Sequence, residues 1–464
     1  MEEISDFEDW EYRAEGNLHI IVANKRTKQV LRLLKCHKDQ TIYGDVSGFD
    51  IENEICFIRN VAIPLMRNCK ACFHVERAPL SRDFLKNISK RVEPHRPTSR
   101  LNKIIDQRCK YGMLMPDFCR VLPNPTSHND VNISIEIKPK QGFILIGQNR
   151  CNYSQFQRNK VLSKFYEKES TYCPLDLFSG CKKRMKKAIK ALIHHPQNNL
   201  RIFKNGHMIY SQEIVDKKNC DNHDLFKATV LGNFVSHSDS TRGTAERLKR
   251  AAQNLHDLIC NLLLHPICEQ KSDRGHVAQY CDAGFSNEEA KKLKSPLRKQ
   301  TLPTNSILGL LLSLQKLESR SINEYYDMYM SIKNQLAMFP HDAQRLSIEG
   351  PYDSEHWKKL VFQITKGDTK STAESDLKKL NDLDIKASLL RKFLIATSFK
   401  DCSIILTFQK KLHDCDHISA KDSPISITTR HGQQYWCSLA LVDSDPKLSN
   451  RIPQYYQDAC KQAA

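Results

Sequence analysis

NISIEIKPKQGF, residues 132–143, decides how this chain folds. Ile133, Ile135 and Ile137 alternate with Ser134, Glu136 and Lys138, the period of two that builds a strand with one apolar face. The pattern predicts that the isoleucines face a core, with Ser134, Glu136, Lys138 and Lys140 on the opposite, solvated face. Pro139 drives Lys138 into an extended conformation, and Gly142 lets the backbone turn close to a ligand. Read alone, Lys-Pro-Lys is the solvated end of an edge strand; read with the strings below, it is an anion site.

Four further strings stand with it: HRPTSR (95–100) and PQNNLRIFKNG (196–206), which carry Arg or Lys beside Pro, Asn or Ser, YCPLDLFSG (172–180), and KDCSI (400–404), which carries a carboxylate. Arg96 and Arg100 flank Pro97, so two guanidiniums on a rigid turn can fork onto phosphate oxygens. Asn198 and Asn199 stand between a helix and a strand, where Asn caps, turns or binds. Cations to hold phosphates and a carboxylate to hold magnesium or take a proton are the equipment of phosphoryl transfer.

The carboxylates come from two predicted strands, SIILTFQ (403–409) and YWCSLALVD (435–443), joined by a polar loop. If they pair as antiparallel neighbours, the start of the first lies beside the end of the second. Asp401 and Asp443 would then meet at one sheet edge. Taken singly, Asp401 reads as an ordinary helix-end Asp.

Bulk composition bounds the rest. The chain has 464 residues, 40% hydrophobic and 27% charged, enough for two or three domains or lobes around real cores. No apolar run approaches the roughly 20 residues needed to span a bilayer, and SILGLLLSLQKLE (306–318) reads as a buried helix. The acidic start MEEISDFEDWEY lacks signal-peptide order, and the 17 scattered cysteines read as reduced intracellular thiols. A formal net charge of +18 favours an anionic partner: nucleic acid, an anionic membrane or a highly phosphorylated small molecule. Zinc-finger spacing, an RNP string and a long basic run are all missing from the sequence.

Along the chain, 17–24 and 29–35 read as a hairpin, and 52–66 as a helix ended by Pro64. GMLMPDF (112–118) reads as a connector between lobes. SGCKKRMKKAIKALIHH (179–195) is a basic amphipathic helix, and 200–211 a hairpin turning at Asn205-Gly206. The polar stretch 214–300, including SHSDSTRGTAERLKR (236–250), reads as loop or insert. Helices follow at 305–318, 323–338 and 388–399. His194, His195, Cys260, His265, Cys268, His276 and Cys281 invite a zinc reading, against which their irregular spacing and the lack of a C-x-x-C among them speak.

The strings EIKPKQGF, YCPLDLFSG, PQNNLRIFKNG and KDCSI, in this order, closely resemble the inositol-pentakisphosphate 2-kinase family. The resemblance runs from about residue 10 to 456 and is carried by segments outside 214–350. It implies an α+β, two-lobed, distantly protein-kinase-like fold, with an N-lobe over 1–115 and a C-lobe over 116–464 that holds the insert. It implies transfer of the ATP γ-phosphate to the 2-hydroxyl of inositol pentakisphosphate, giving hexakisphosphate (phytate), with ATP and Mg2+ as cofactors. By resemblance, Glu15, Gly16 and Asn17 form the nucleotide-covering loop and Arg32 reaches the ATP phosphates. Met115, Pro116 and Asp117 are the hinge near adenine, and Glu136 faces the nucleotide side. Arg100, Lys138, Lys140, Asn198 and Asn199 resemble the inositol-phosphate clamp, with a further Lys near Lys164. In VDSDPKLSNRIPQYY, Asp443 corresponds to the magnesium ligand, and Lys447, Arg451 and Tyr455 to substrate contacts. Asp401 corresponds to the residue that accepts the hydroxyl proton.

The sequence departs from the family in three places. Ala14 replaces the first Gly of a Gly-Glu-Gly loop, and Gln141 replaces a Cys common after Lys-Pro-Lys. SINEYYDMYMSIKNQLAMFPHDAQ has no cysteine where plant members carry a zinc set, so zinc is not carried over. The expectation is a monomer inside the cell, in cytoplasm or nucleus, acting on a small molecule and requiring neither membrane nor nucleic acid. Two rivals stay open: a non-catalytic polyanion- or RNA-binding protein, and a kinase relaxed towards lower inositol phosphates.

Overall fold

The computed structural model describes residues 3–38, 50–69, 71, 75–122, 131–145, 148–235, 243–268, 276–277, 301–343, 345–366, 383–411 and 424–463. The protein is mixed α+β and divides into two compact units. The first comprises Met1–Pro64, Cys72–Phe118 and Gly350–Phe362; the second comprises Leu65–Ala71, Cys119–Glu349 and Gln363–Ala464.

The first unit is built on an antiparallel sheet. Its strands are β1 (Trp10–Glu15), β2 (His19–Asn24), β3 (Gln29–His37), β4 (Glu76–Pro79), β5 (Lys103–Ile105) and β6 (Tyr111–Pro116), in the order β1-β2-β3-β6-β4, with β5 also on β3. The β2–β3 hairpin forms where the aliphatic alternation places it. GMLMPDF is strand as far as Pro116: its residues pair with β3 and β4, Pro116 falls at the strand's last position, where a missing donor is tolerated, and the first unit's stretch ends at Phe118. Ile20, Val22, Leu31 and Leu33 pack with Phe84, Leu85 and Ile88 of the helix Arg82–Val92. That helix starts where the Ser81 hydroxyl accepts the Phe84 amide at 3.0 Å. The helix Ile51–Phe57 runs on through a π turn at Ile58–Ala62 and stops at Leu65, beside Pro64.

The second unit carries β7 (Asn132–Ile137), β8 (Leu200–Lys204), β9 (His207–Tyr210), a two-residue ladder of β10 (His276–Val277) with β11 (Thr301–Leu302), β12 (Ser403–Lys410), β13 (Ile425–Thr428) and β14 (Gln434–Val442). The main sheet runs β13-β14-β12-β7-β8-β9. β7 is therefore central, and all six of its residues are buried. This corrects the solvated polar face expected for Ser134 and Glu136. Their partners lie across the ladder: the Thr407 hydroxyl donates to Ser134 Oγ at 3.0 Å, and Ser403 Oγ meets Glu136. Asn205 and Gly206 both take positive φ, 50° and 86°, the geometry of the tight hairpin between β8 and β9.

Helices Lys182–His194, Ile307–Gln315, Ile322–Met338 and Leu383–Asp401 cover the expected segments. The stretch read as loop or insert differs. Gln212–Lys218 and Asn222–Thr229 are helical, and Thr244–Leu263 is a 20-residue helix. Ala251, Leu255, Leu258, Ile259 and Leu262 recur at helical spacing and are buried. Cys281 of the zinc reading lies outside the described residues, as do 236–242 of the polar segment. No helix among the described residues is long and apolar enough to cross a membrane.

Candidate active site

In the second unit, three strand ends converge on one sheet edge. β12 pairs with β14 and β7 at once: Ser403 faces Val442, and Ile404 faces both Leu441 and Ile137. Asp401 precedes β12, Asp443 follows β14, and Lys138 and Lys140 follow β7, so antiparallel geometry brings the four together. Lys138 Nζ lies 3.4 Å from Asp443 Oδ2. Lys140 Nζ lies 3.2 Å from Asp401 Oδ1, and Lys447 Nζ lies 2.9 Å from Asp401 Oδ2. Lys140 and Asp443 hold left-handed backbone angles, φ 60° and 58°, which side chains other than glycine adopt only under constraint.

The electrostatics follow from this packing. Burial pushes the Asp401 carboxyl up, but the charges of Lys447 and Lys140 and the Lys447 hydrogen bond outweigh it and hold the group well below the usual carboxylate range. The Asp401 side chain is nevertheless 52% exposed. Burial lowers Lys138 and Lys447, yet facing Asp443 and Asp401 respectively leaves both raised. Lys140, with less compensation, stays lowered by burial. Burial also brings the Lys400 ammonium, next to Asp401, down to about 8.

Ser403 Oγ lies 3.0 Å from Glu136 Oε1 and 3.4 Å from Asp443 Oδ2, and can donate to one of them at a time. Arg201 Nη1 stands 3.6 Å from the other Glu136 oxygen. Asn199 is buried: its carbonyl accepts the Lys138 amide at 2.9 Å and its side-chain amide donates to the Tyr153 hydroxyl at 2.8 Å. Asn199 Oδ1 is buried without a protein partner. Asn198 beside it is exposed. Arg451 is exposed in the 3₁₀ turn Ser449–Arg451, and Tyr455 packs on the core of Tyr325, Leu390 and Phe393 while sensing the charges of Lys447 and Asp401. Lys164 stands apart from this group in a left-handed, exposed turn after the helix Asn152–Leu162, with no ion pair among the described residues.

In the first unit, several expected ligand-binding side chains face inward. Arg96 Nε and Nη2 donate to the two Glu15 oxygens at 2.9 Å each, and Lys35 Nζ also donates to Glu15. Arg96 Nη2 further donates to the carbonyls of Arg100 and Lys103 at 2.8 Å. The rigid fork read from HRPTSR is thus spent on protein, with only Arg100 left for an outside anion: its guanidinium makes no ion pair among the described residues. Asp117 pairs with Arg13 at 2.8 Å. Buried Arg32 places Nη2 2.9 Å from His19 Nδ1, and His19 Nε2 lies 3.1 Å from Glu54 Oε2. Lys103 Nζ holds Asn17 through its carbonyl, 3.1 Å, and its side chain, 3.2 Å. Gly16 turns β1 into β2, and a Cβ there would meet nothing within 4 Å. The β4 ladder stops at Leu114, which leaves the β4-facing edge of Met115 outside it.

The sequence reading missed Ser403, Lys35, His19 and Glu54. His19 and Glu54 give no sequence signal, because only the sheet and helix bring them to Arg32. Ser403 was findable, being the first strand residue after Asp401.

The inositol-pentakisphosphate 2-kinase family model matches residues 12–460. The chain is 27% identical over 466 residues to an inositol-pentakisphosphate 2-kinase of Danio rerio, spanning 97% of this chain and 92% of that one. It is 25% identical over 504 residues to the protein of that name from Arabidopsis thaliana, spanning 98% and 92%. A Drosophila melanogaster relative of the same name matches 43% of this chain at 25% identity. With a family model matched over nearly its whole length, the chain belongs to the inositol-pentakisphosphate 2-kinase family.

Proposed function

We propose that the protein transfers the γ-phosphate of ATP to the 2-hydroxyl of inositol 1,3,4,5,6-pentakisphosphate, forming inositol hexakisphosphate. The observation that carries this reading is the Asp401 carboxylate held between Lys140 and Lys447, with Asp443 at the same sheet edge. On this reading the fold is a distant, two-lobed relative of the protein kinases, divided near residue 115.

Without substrate, the lysines neutralise Asp401. A pentakisphosphate offers them stronger anions. As Lys140 and Lys447 turn to its phosphates, Asp401 is freed to accept the proton of the attacking hydroxyl. Lys138, Arg451 and Tyr455 add contacts to the same substrate, with Asn198 and the unpartnered Asn199 Oδ1 in the same unit. Positioning and charge stabilisation are most of what phosphoryl transfer asks of a protein.

The donor set at the edge fits magnesium. Asp443, Ser403 and Glu136 present only oxygens, and magnesium needs few protein ligands because waters and substrate phosphates complete its shell. Asp443 would hold the ion, with Lys138 released to substrate. When bound, the ion offsets charge on the transferring phosphate. Among the described residues no group of three or more His, Cys, Asp or Glu forms a metal cage.

For ATP, the inward Glu15 and Asp117 side chains leave backbone as the contact: the turn at Gly16 and the β4-facing edge of Met115, which has no ladder partner among the described residues. The test is a product assay with ATP, magnesium and pentakisphosphate, run beside lower inositol phosphates and RNA. Hexakisphosphate formed in preference to other products supports the reading; binding without transfer favours the polyanion binder.

A further inference from the structure

Gln315 ends the helix Ile307–Gln315, an apolar segment apart from this residue and Ser313, and its side chain is completely buried. A buried amide must be satisfied, and this one is bonded on both ends. Gln315 Oε1 accepts the Gly142 amide at 2.9 Å. Gln315 Nε2 donates to the Lys140 carbonyl and to the Phe399 carbonyl, both at 3.0 Å.

These three groups belong to two pieces of the site. Lys140 and Gly142 lie on the turn after β7, and Phe399 lies in the last turn of the helix Leu383–Asp401, two residues before Asp401. Carbonyls in a last helical turn lack a helical partner, so the Gln315 amide caps this helix where the carboxylate emerges. It also bonds the carbonyl of Lys140, which sits at φ 60° and needs restraint. Other braces hold the turn alone: Asn199 takes the Lys138 amide, the Tyr172 hydroxyl donates to the Pro139 carbonyl at 2.8 Å, and the Phe178 ring closes on Gly142. Gln315 differs from these in also reaching the helix that delivers Asp401.

We infer that Gln315 is a positioning residue that fixes the Lys140 turn and the Asp401 helix end in one register, and so sets the Lys140–Asp401 spacing on which acceptor binding and proton removal depend. It touches neither substrate nor reacting atoms. The inference rests on the kinase reading above and deepens it.

The test compares full-length wild type with Gln315→Met, which keeps the volume and removes the bonds, and Gln315→Asn, which keeps the amide one methylene short. Kinetics are expressed per folded molecule, with folding followed by circular dichroism. We expect kcat to fall at least tenfold and the KM for pentakisphosphate to rise in Gln315→Met, with the KM for ATP within twofold and a smaller effect in Gln315→Asn. A merely structural Gln would lower the folded fraction and leave kcat and both KM values unchanged, which overturns the inference. If Gln315→Met does not fold, Gln315→Asn decides by the same criteria. If wild type transfers no phosphate, the functional reading fails by itself. Calorimetric pentakisphosphate affinity then decides: tenfold weaker binding in the folded variants upholds the positioning role, and equal binding overturns it.

Discussion

Lys447 Nζ sits 2.9 Å from Asp401 Oδ2, and that contact, with Lys140 on the other oxygen, depresses the Asp401 pKa. A carboxyl depressed by folding adds stability that is full above its unfolded value, about 3.9, and is lost as pH falls through the lower folded value. Removing the lysine must raise the folded value. In Lys447→Met, carbon NMR of labelled aspartate should show Asp401 titrating at higher pH than in wild type. An unchanged titration would mean that Lys447 does not set its charge state.

Arg96 and Arg100 share one short motif and should fail differently. Arg96 and Glu15 are buried, with side chains 4% and 1% exposed. Breaking a buried pair from one side costs about 3–5 kcal/mol, so Arg96→Ala should shift the denaturant midpoint strongly. Arg100→Ala should leave stability within about 0.5 kcal/mol, because its guanidinium makes no ion pair among the described residues.

Gly142 has no room for a side chain: a Cβ would come within 2.5 Å of the buried Phe178 ring. Gly142→Ala should cost about 1–3 kcal/mol, read as a lowered Tm. Gly16 is the contrast, open on every side. Gly16→Ala should leave Tm unchanged, and if this turn covers the nucleotide it should raise the KM for ATP alone.

The second unit's site was legible in the sequence because strand periodicity and antiparallel logic are local rules. Alternation in 132–137 and the apolar runs at 403–409 and 435–443 were enough to bring Asp401 and Asp443 together. The same rules could not tell a central strand from an edge strand. β7 is central because β8 and β12 enclose it, and no residue within it encodes both neighbours. Arg96 shows the complementary failure. Its motif fits a phosphate fork, and only the distant Glu15 turns it inward. β13 went unread because it is four residues long within a polar connection, and the helix Thr244–Leu263 because its first turns are charged.

The most direct measurement is resolution of the products formed by pure protein from ATP, magnesium and inositol 1,3,4,5,6-pentakisphosphate, with Asp401→Asn in parallel. The account predicts hexakisphosphate from wild type, and a kcat lower by about 10²–10⁴ in the variant with pentakisphosphate still bound. Hexakisphosphate formed by Asp401→Asn at near the wild-type rate, or none formed by folded wild type, would contradict it.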